Sequence, residues 1–162
     1  MNIVLVRIDD RFIHGQILES WIPFLRAQSV IVANDTLARD QFQTTIMSMA
    51  IPDRILLRII PVADVLQLME DRDLDGKRTL VIVSNIEDAY TLYSSGVHFS
   101  SLNLGNNRAT EGSRQISYSV WIHEKDEEKL KALISKGVEV FLQSVPREHP
   151  VDMRSLIPVS GV

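Results

Sequence analysis

The sequence predicts an α/β protein with a mostly parallel sheet in a single domain. Short apolar runs rich in β-branched residues recur along the chain. Stretches with apolar residues at helical spacing separate them. No internal repeat, low-complexity tract or Pro/Ser-rich linker marks a second unit, so residues 1–162 read as one domain.

Ile3-Val4-Leu5-Val6 reads as a buried first strand that ends where charge replaces hydrocarbon, in Arg7-Ile8-Asp9-Asp10-Arg11-Phe12-Ile13-His14-Gly15-Gln16. Ile17, Leu18, Trp21, Ile22 and Leu25 then share one helical face, and Pro23 is expected to kink or end that helix. Val30 to Ala33 gives a second strand, closed by Asn34-Asp35-Thr36. Phe42, Ile46, Met49 and Ala50 line one face of a helix stopped by Pro52. Arg54 to Ile60 reads as the third strand, and Pro61 opens a helix carrying Val62, Leu66 and Met69. Thr79 to Val83 is the fourth and most apolar strand. Ser84 and Glu87 have capping-box spacing for a helix that buries Ala89, Leu92 and Tyr93 and ends at Gly96. Leu102-Asn103-Leu104 is a short fifth strand, and Gly105 to Gly112 is turn chemistry throughout. Ile116, Tyr118, Val120 and Ile122 alternate with polar residues as in one half-exposed strand. A helix with Leu130, Leu133 and Ile134, capped by Gly137, leads to a strand at Val138 to Leu142, and a last helical turn is expected near Arg154.

Composition narrows the function. The chain has 162 residues, 45% hydrophobic and 23% charged, with a net charge of −4. No basic field is available to neutralise a nucleic-acid backbone, and no basic run exceeds Lys77-Arg78, so neither nucleic acid nor an electrostatic membrane anchor is expected. Cysteine is absent, which excludes disulfides and thiolate metal sites. No apolar run approaches the roughly 20 residues needed to span a bilayer, and the N-terminus lacks the parts of a signal peptide. The expectation is a cytoplasmic protein that meets any transporter as a peripheral partner. No metal and no cofactor are expected: His98, His123 and His149 have no metal-ligand spacing to a partner.

The chemistry concentrates in the loop after the first strand, where ligands of open parallel sheets bind. Imidazole is a good nucleophile near its usual pKa of roughly 6.5, and one ring nitrogen can attack phosphorus while an acceptor holds the other. Arg11, three residues before His14, carries a fork that can bind two phosphate oxygens, or else pairs with Asp9 or Asp10. Arg7 reads as a strand-end partner for a carboxylate. Asp9 and Asp10 would orient Arg11, accept a hydrogen bond from His14, or cap the loop. A helix starting near Gly15 would direct unpaired N–H groups at whatever His14 carries. Asn34 and Asp35 either face the same crevice or make the local turn of their own corner. Trp21 and Trp121 are read as core or partly buried aromatics.

The run RIDDRFIHGQ, matching R-[IV]-D-[DE]-R-x-[IV]-H-G-Q, resembles the active-site segment of IIB components of the bacterial phosphotransferase system, in the mannose/fructose/sorbose family. The resemblance extends over nearly the whole chain. It implies that His14 accepts a phosphoryl group on Nδ1 from a IIA protein and passes it to a sugar moving through a membrane IIC/IID pair. It also implies Asp9 as the structural member of a catalytic set with His14 and Arg11. The phosphate-binding set is then Arg11, Gly15, Gln16, Asn34, Asp35, Asn106 and Arg108. The family's three-layer α/β/α sheet, with first strands in the order 3-2-4-1-5, would bring Asn106, Asn107 and Arg108 near His14. The family commonly follows its N-[LIV]-G with Gly or Asn and then Met; here Asn106-Asn107 follows Gly105. Two alternatives stand beside this reading. A histidine-phosphatase-like enzyme would need Arg directly before the histidine, and Ile13 stands there. A non-catalytic flavodoxin-like binding module would need no nucleophile, and the glycine-rich nucleotide loops are absent.

Overall fold

The structure, a computed structural model, describes residues 1–159, so the last three residues of the expected 1–162 domain lie outside it. The main sheet runs β3-β2-β4-β1-β5-β8-β9. These strands are β1 (Asn2–Asp9), β2 (Ser29–Ala33), β3 (Leu56–Ile60), β4 (Arg78–Val83), β5 (Ser101–Asn106), β8 (Glu139–Leu142) and β9 (Val151–Asp152). All pairs are parallel except β8 with β9. The first five strands therefore take the expected order, 3-2-4-1-5.

Strand alternation builds the three layers. In β2, Ile31 and Ala33 join the core on one face, and Val30 and Val32 join the core on the other. The first face receives α3 (Ile86–Ser94) through Ile86, Ala89 and Leu92, and α4 (Glu124–Ser135) through Leu130, Leu133 and Ile134. The second receives Ile17, Trp21 and Ile22 from the helix that follows β1. That helix passes through a π turn (Ile17–Trp21) before its α-helical end, α1 (Ile22–Leu25). The widened turn admits Pro23 in the first turn of α1, so the proline neither ends the helix nor breaks it.

Several sequence expectations are corrected. β1 extends three residues past Val6 to Asp9, and Arg7 and Asp9 are fully buried strand residues rather than loop residues. Their side chains share the face of Leu5, opposite Val6 and Ile8, and a charged pair can occupy that face because its members satisfy each other. β5 likewise takes in Gly105 and Asn106. The single strand expected across Ile116 to Ile122 is a hairpin, β6 (Arg114–Ser117) with β7 (Val120–Ile122), turning at exposed Tyr118. The segment after Pro61 is a 3₁₀ helix (Val62–Glu70). Its three-residue period turns Val62 and Val65 inward and leaves Leu66 and Met69 largely exposed. The cap of α3 falls one residue later than expected, on Asn85, whose side chain accepts from the Asp88 N–H at 2.7 Å. α2 (Gln41–Ala50) forms as expected, but its apolar stripe is not covered: Phe42 and Met49 are exposed.

Candidate active site

Two neighbouring strands place the polar groups. Arg7 of β1 and Asn103 of β5 are register partners, and both face the α1 side of the sheet. Arg7 Nη1 donates to Asn103 Oδ1 and to the Gln143 carbonyl at 3.1 Å. Its Nη2 and Nε donate to Asp9 Oδ2 at 2.9 and 3.2 Å. The guanidinium lies 5.0 Å from the Trp21 ring centre.

After Asp9 the chain reverses sharply. The Phe12 N–H bonds the Asp9 carbonyl at 3.1 Å, and Phe12 then takes φ 59°. A bulky residue in this left-handed region costs of order 1–3 kcal/mol, which here is offset by packing of Phe12 and Ile13 against the α1-side core. The reversal brings His14 back onto the strand it has just left. His14 Nε2 lies 2.8 Å from Asp9 Oδ2. Helical turns begin at Gly15, and the Ile17 and Leu18 N–H groups both bond the His14 carbonyl at 3.0 Å.

Asp9 thus collects charge-assisted hydrogen bonds from three directions. Besides Arg7 and His14, Arg11 donates to Oδ1 through its backbone N–H at 3.1 Å and through Nε at 3.2 Å. Burial alone would raise the Asp9 pKa. The His14 hydrogen bond, the charges of Arg7 and His14 and the Arg11 hydrogen bond outweigh it and hold the group at about 2. An ionised carboxylate only accepts, so Nε2 of His14 carries the hydrogen and the lone pair of the neutral ring resides on Nδ1. Among the described residues Nδ1 has no hydrogen-bond partner. Burial lowers the Arg7 pKa and Asp9 opposes that; a guanidinium paired in this way keeps its charge.

Each expected site residue has a definite place. Arg11 is partly exposed, at 41%, and its Nη2 donates to Gln16 Oε1 at 2.9 Å. Gly15 faces open space: a Cβ built there meets no atom within 4 Å. Asn106 and Arg108 come to Asp10 rather than to His14, with Asn106 Nδ2 at 2.8 Å and Arg108 Nε at 3.4 Å from its carboxylate. A cleft of about 620 Å³ adjoins them, lined by Arg11, Gln16, Asn106, Arg108, Tyr118 and Trp121 among others. Asn34 and Asp35 are occupied by bonds at their own corner and to neighbouring strand ends, Asn34 Nδ2 donating to Ser84 Oγ at 3.2 Å. Asn34 Oδ1 accepts from the Leu37 N–H at 2.8 Å, and Asp35 Oδ1 accepts from the Val62 N–H at 2.9 Å. Only the Leu37 bond is that of a turn; the other two tie this corner to the segments after β3 and β4. Asn107, whose neighbourhood departs from the expected pattern, bonds the backbone of Trp121 through both ends of its amide.

Asn103 and Trp21 were not singled out as site residues from the sequence. The signal for Asn103 was its position, a lone amide in the apolar run Leu102-Asn103-Leu104. It became informative only once β5 was known to lie against Arg7.

The family model described as PTS system sorbose subfamily IIB component matches residues 3–161. The chain belongs to this family. Among IIB relatives, the N-acetylgalactosamine-specific phosphotransferase enzyme IIB component 2 of Escherichia coli K12 is 36% identical over 96% of this chain and 99% of its own. The mannose-specific EIIAB component of the same strain is 30% identical over 97% of this chain, which spans 49% of that longer protein. The IIB domain of the sorbose permease from Klebsiella pneumoniae has the same fold, with a TM-score of 0.89, 25% identity and 99% of each chain covered. A IIB chain of this kind is a component of a sugar phosphotransferase system. Among the described residues, no helix is long and apolar enough to cross a membrane.

Proposed function

We propose that this chain is a phosphoryl carrier in which His14 Nδ1 takes a phosphoryl group from a IIA protein and delivers it to a sugar held by membrane IIC and IID components. The observation that carries the reading is the 2.8 Å contact of His14 Nε2 with buried Asp9, which fixes the tautomer and leaves Nδ1 bare. In the first step the N–P bond of a donor phosphohistidine breaks as the Nδ1–P bond forms. In the second, a sugar hydroxyl displaces Nδ1 and loses its proton as the new O–P bond forms. Nε2 keeps its hydrogen, held by Asp9, through both steps. No cofactor enters either step.

Arg11 is the phosphate partner in this reading. It is tethered only at its edges, to Asp9 and Gln16, and its fork can turn toward a phosphoryl group on Nδ1. Gly15 keeps the approach open, and the first helical N–H groups add partial positive charge. The rim for a IIA protein runs from Asp10 to Gln16 and across Asn106 to Arg108. Arg7 is too deeply buried to take part. A donor relationship to IIA is supported by the mannose-specific EIIAB relative, whose name joins the two parts in one protein. The carrier unit would extend over residues 1–162, on the cytoplasmic side of the transporter. The relatives differ in the sugar their names give.

The test is transfer itself. Phosphorylated IIA, mixed with this protein, should load one acid-labile, base-stable phosphate. Membranes bearing IIC and IID should then discharge it to sugar. Phosphate loading of His14→Ala at the normal rate would overturn the proposal.

A further inference from the structure

We propose that Arg7 is a positioning residue that keeps His14 neutral and nucleophilic by neutralising Asp9, and that Asn103, Gly105 and Trp21 form the cradle that holds it there. The inference rests on the phosphoryl-carrier reading of His14 and adds to it a function for a buried cation that the transfer steps do not use.

The need for such a residue follows from Asp9. A lone carboxylate 2.8 Å from an imidazole favours the imidazolium, because opposite charges at that distance stabilise each other. A proton on Nδ1 removes the lone pair that must attack phosphorus. A cation fixed on the same carboxylate cancels much of this pull. Arg11 cannot do so throughout, since it is partly exposed and turns to the phosphate in the reading above. Arg7 can: its side chain is fully buried, so water does not screen it, and it meets the same Asp9 oxygen as His14. The remaining charges at the rim are Asp10 and Arg108, which pair with each other, and Glu19 and Arg147, which line an open cleft beside Gly15.

The cradle explains why the cation stays in place. Asn103 Oδ1 and the Gln143 carbonyl take one end of the fork while Asp9 takes the other. Trp21 lies against the guanidinium and is itself anchored by its Nε1 donating to the Ser144 carbonyl at 2.9 Å. Gly105 supplies the space: a Cβ there would sit 2.1 Å from Arg7 Cζ. A free arginine tip would swing aside from such a clash, but this one is enclosed and bonded at both ends. An alanine at 105 must therefore push the guanidinium off Asp9.

The experiment follows the His14 imidazole proton signals by NMR across pH in wild type, Arg7→Met, Gly105→Ala and Arg7→Lys. It needs no phosphoryl donor, so it reads Arg7 even if the carrier reading fails, and that reading fails separately if wild type takes no phosphate. In Arg7→Met and Gly105→Ala the His14 titration should move up by about one pH unit, while Arg7→Lys, which keeps the charge, stays near wild type. Phosphate acceptance by the first two should fall about tenfold below the new midpoint and recover at alkaline pH. An unmoved His14 titration in folded Arg7→Met or Gly105→Ala would overturn the proposal. Should Arg7→Met not fold, the same criterion applied to Gly105→Ala and to the milder Asn103→Ala decides.

Discussion

His14 and Asp9 stand five positions apart, yet Nε2 of one lies 2.8 Å from Oδ2 of the other. The contact exists because the loop doubles back through Phe12 at φ 59°. It joins a partly buried imidazole to a carboxylate that belongs to the sheet. The consequences of that link can be measured.

Asp9→Asn should cost both chemistry and stability. An amide in place of the carboxylate can donate to Nε2 and so favour the tautomer with its hydrogen on Nδ1. Phosphoryl acceptance should fall by about a hundredfold or more, as measured by the rate of label uptake from phospho-IIA. The same change leaves Arg7 buried without its counter-charge, at a cost of about 3–5 kcal/mol in urea unfolding.

Acid should destabilise the fold through Asp9 in a defined window. Its pKa falls from 3.8 in the unfolded chain to about 2 in the folded protein, so its contribution is complete above pH 4 and is lost as pH falls through 2. The shift amounts to about 2 kcal/mol. Urea midpoints at pH 5, 3 and 2 should show a steep loss over that range, and the loss should be shallower in Asp9→Asn.

Arg11 should act on rate and not on folding. Losing a two-point charged contact to a phosphoryl group corresponds to about 1.5–3 kcal/mol, so Arg11→Ala should slow transfer roughly ten- to a hundredfold. Arg11→Lys should recover part of this, since an ammonium cannot hold two oxygens in one plane. The side chain is partly exposed, so thermal unfolding should change little. Unchanged kinetics with a large fall in Tm would make Arg11 a structural residue.

Much of this was legible in the sequence because it is local. Alternation of apolar strands and helices gave the fold class, and the motif around His14 gave the family and the order of the central strands. The parts that were missed depend on long-range burial. Arg7 and Asp9 look like loop residues by hydropathy, and only a partner strand carrying Asn103 and an adjacent Gly105 makes their burial affordable. The hairpin at Tyr118 was read as one strand because alternation of period two continues across its turn. The segment after Pro61 was assigned a helical period, and a 3₁₀ helix obeys a different one. Asn34 and Asp35 carry two readings from sequence; the Leu37 bond gives Asn34 a turn role, while Asp35 bonds Val62 of the segment after β3, which sequence distance hides.

Docking to IIA should depend on Arg108. It is 83% exposed and, among the described residues, its side chain pairs with Asp10 alone, so its charge is available to steer a partner. Arg108→Glu should weaken the complex with phospho-IIA, reduce the salt dependence of association, and leave the circular dichroism spectrum intact. An NMR titration with IIA should shift signals at Asp10 to Gln16 and Asn106 to Arg108. Shifts confined to Val138 to Pro146 would place the partner elsewhere.

The most direct test of the account is the atom that carries the phosphate. With the protein loaded from phospho-IIA and its histidine nitrogens labelled with ¹⁵N, phosphorus–nitrogen coupling in the NMR spectrum should place the phosphoryl group on Nδ1 of His14, with Nε2 still protonated. Coupling to Nε2, or phosphate retained on another residue in His14→Ala, would contradict it.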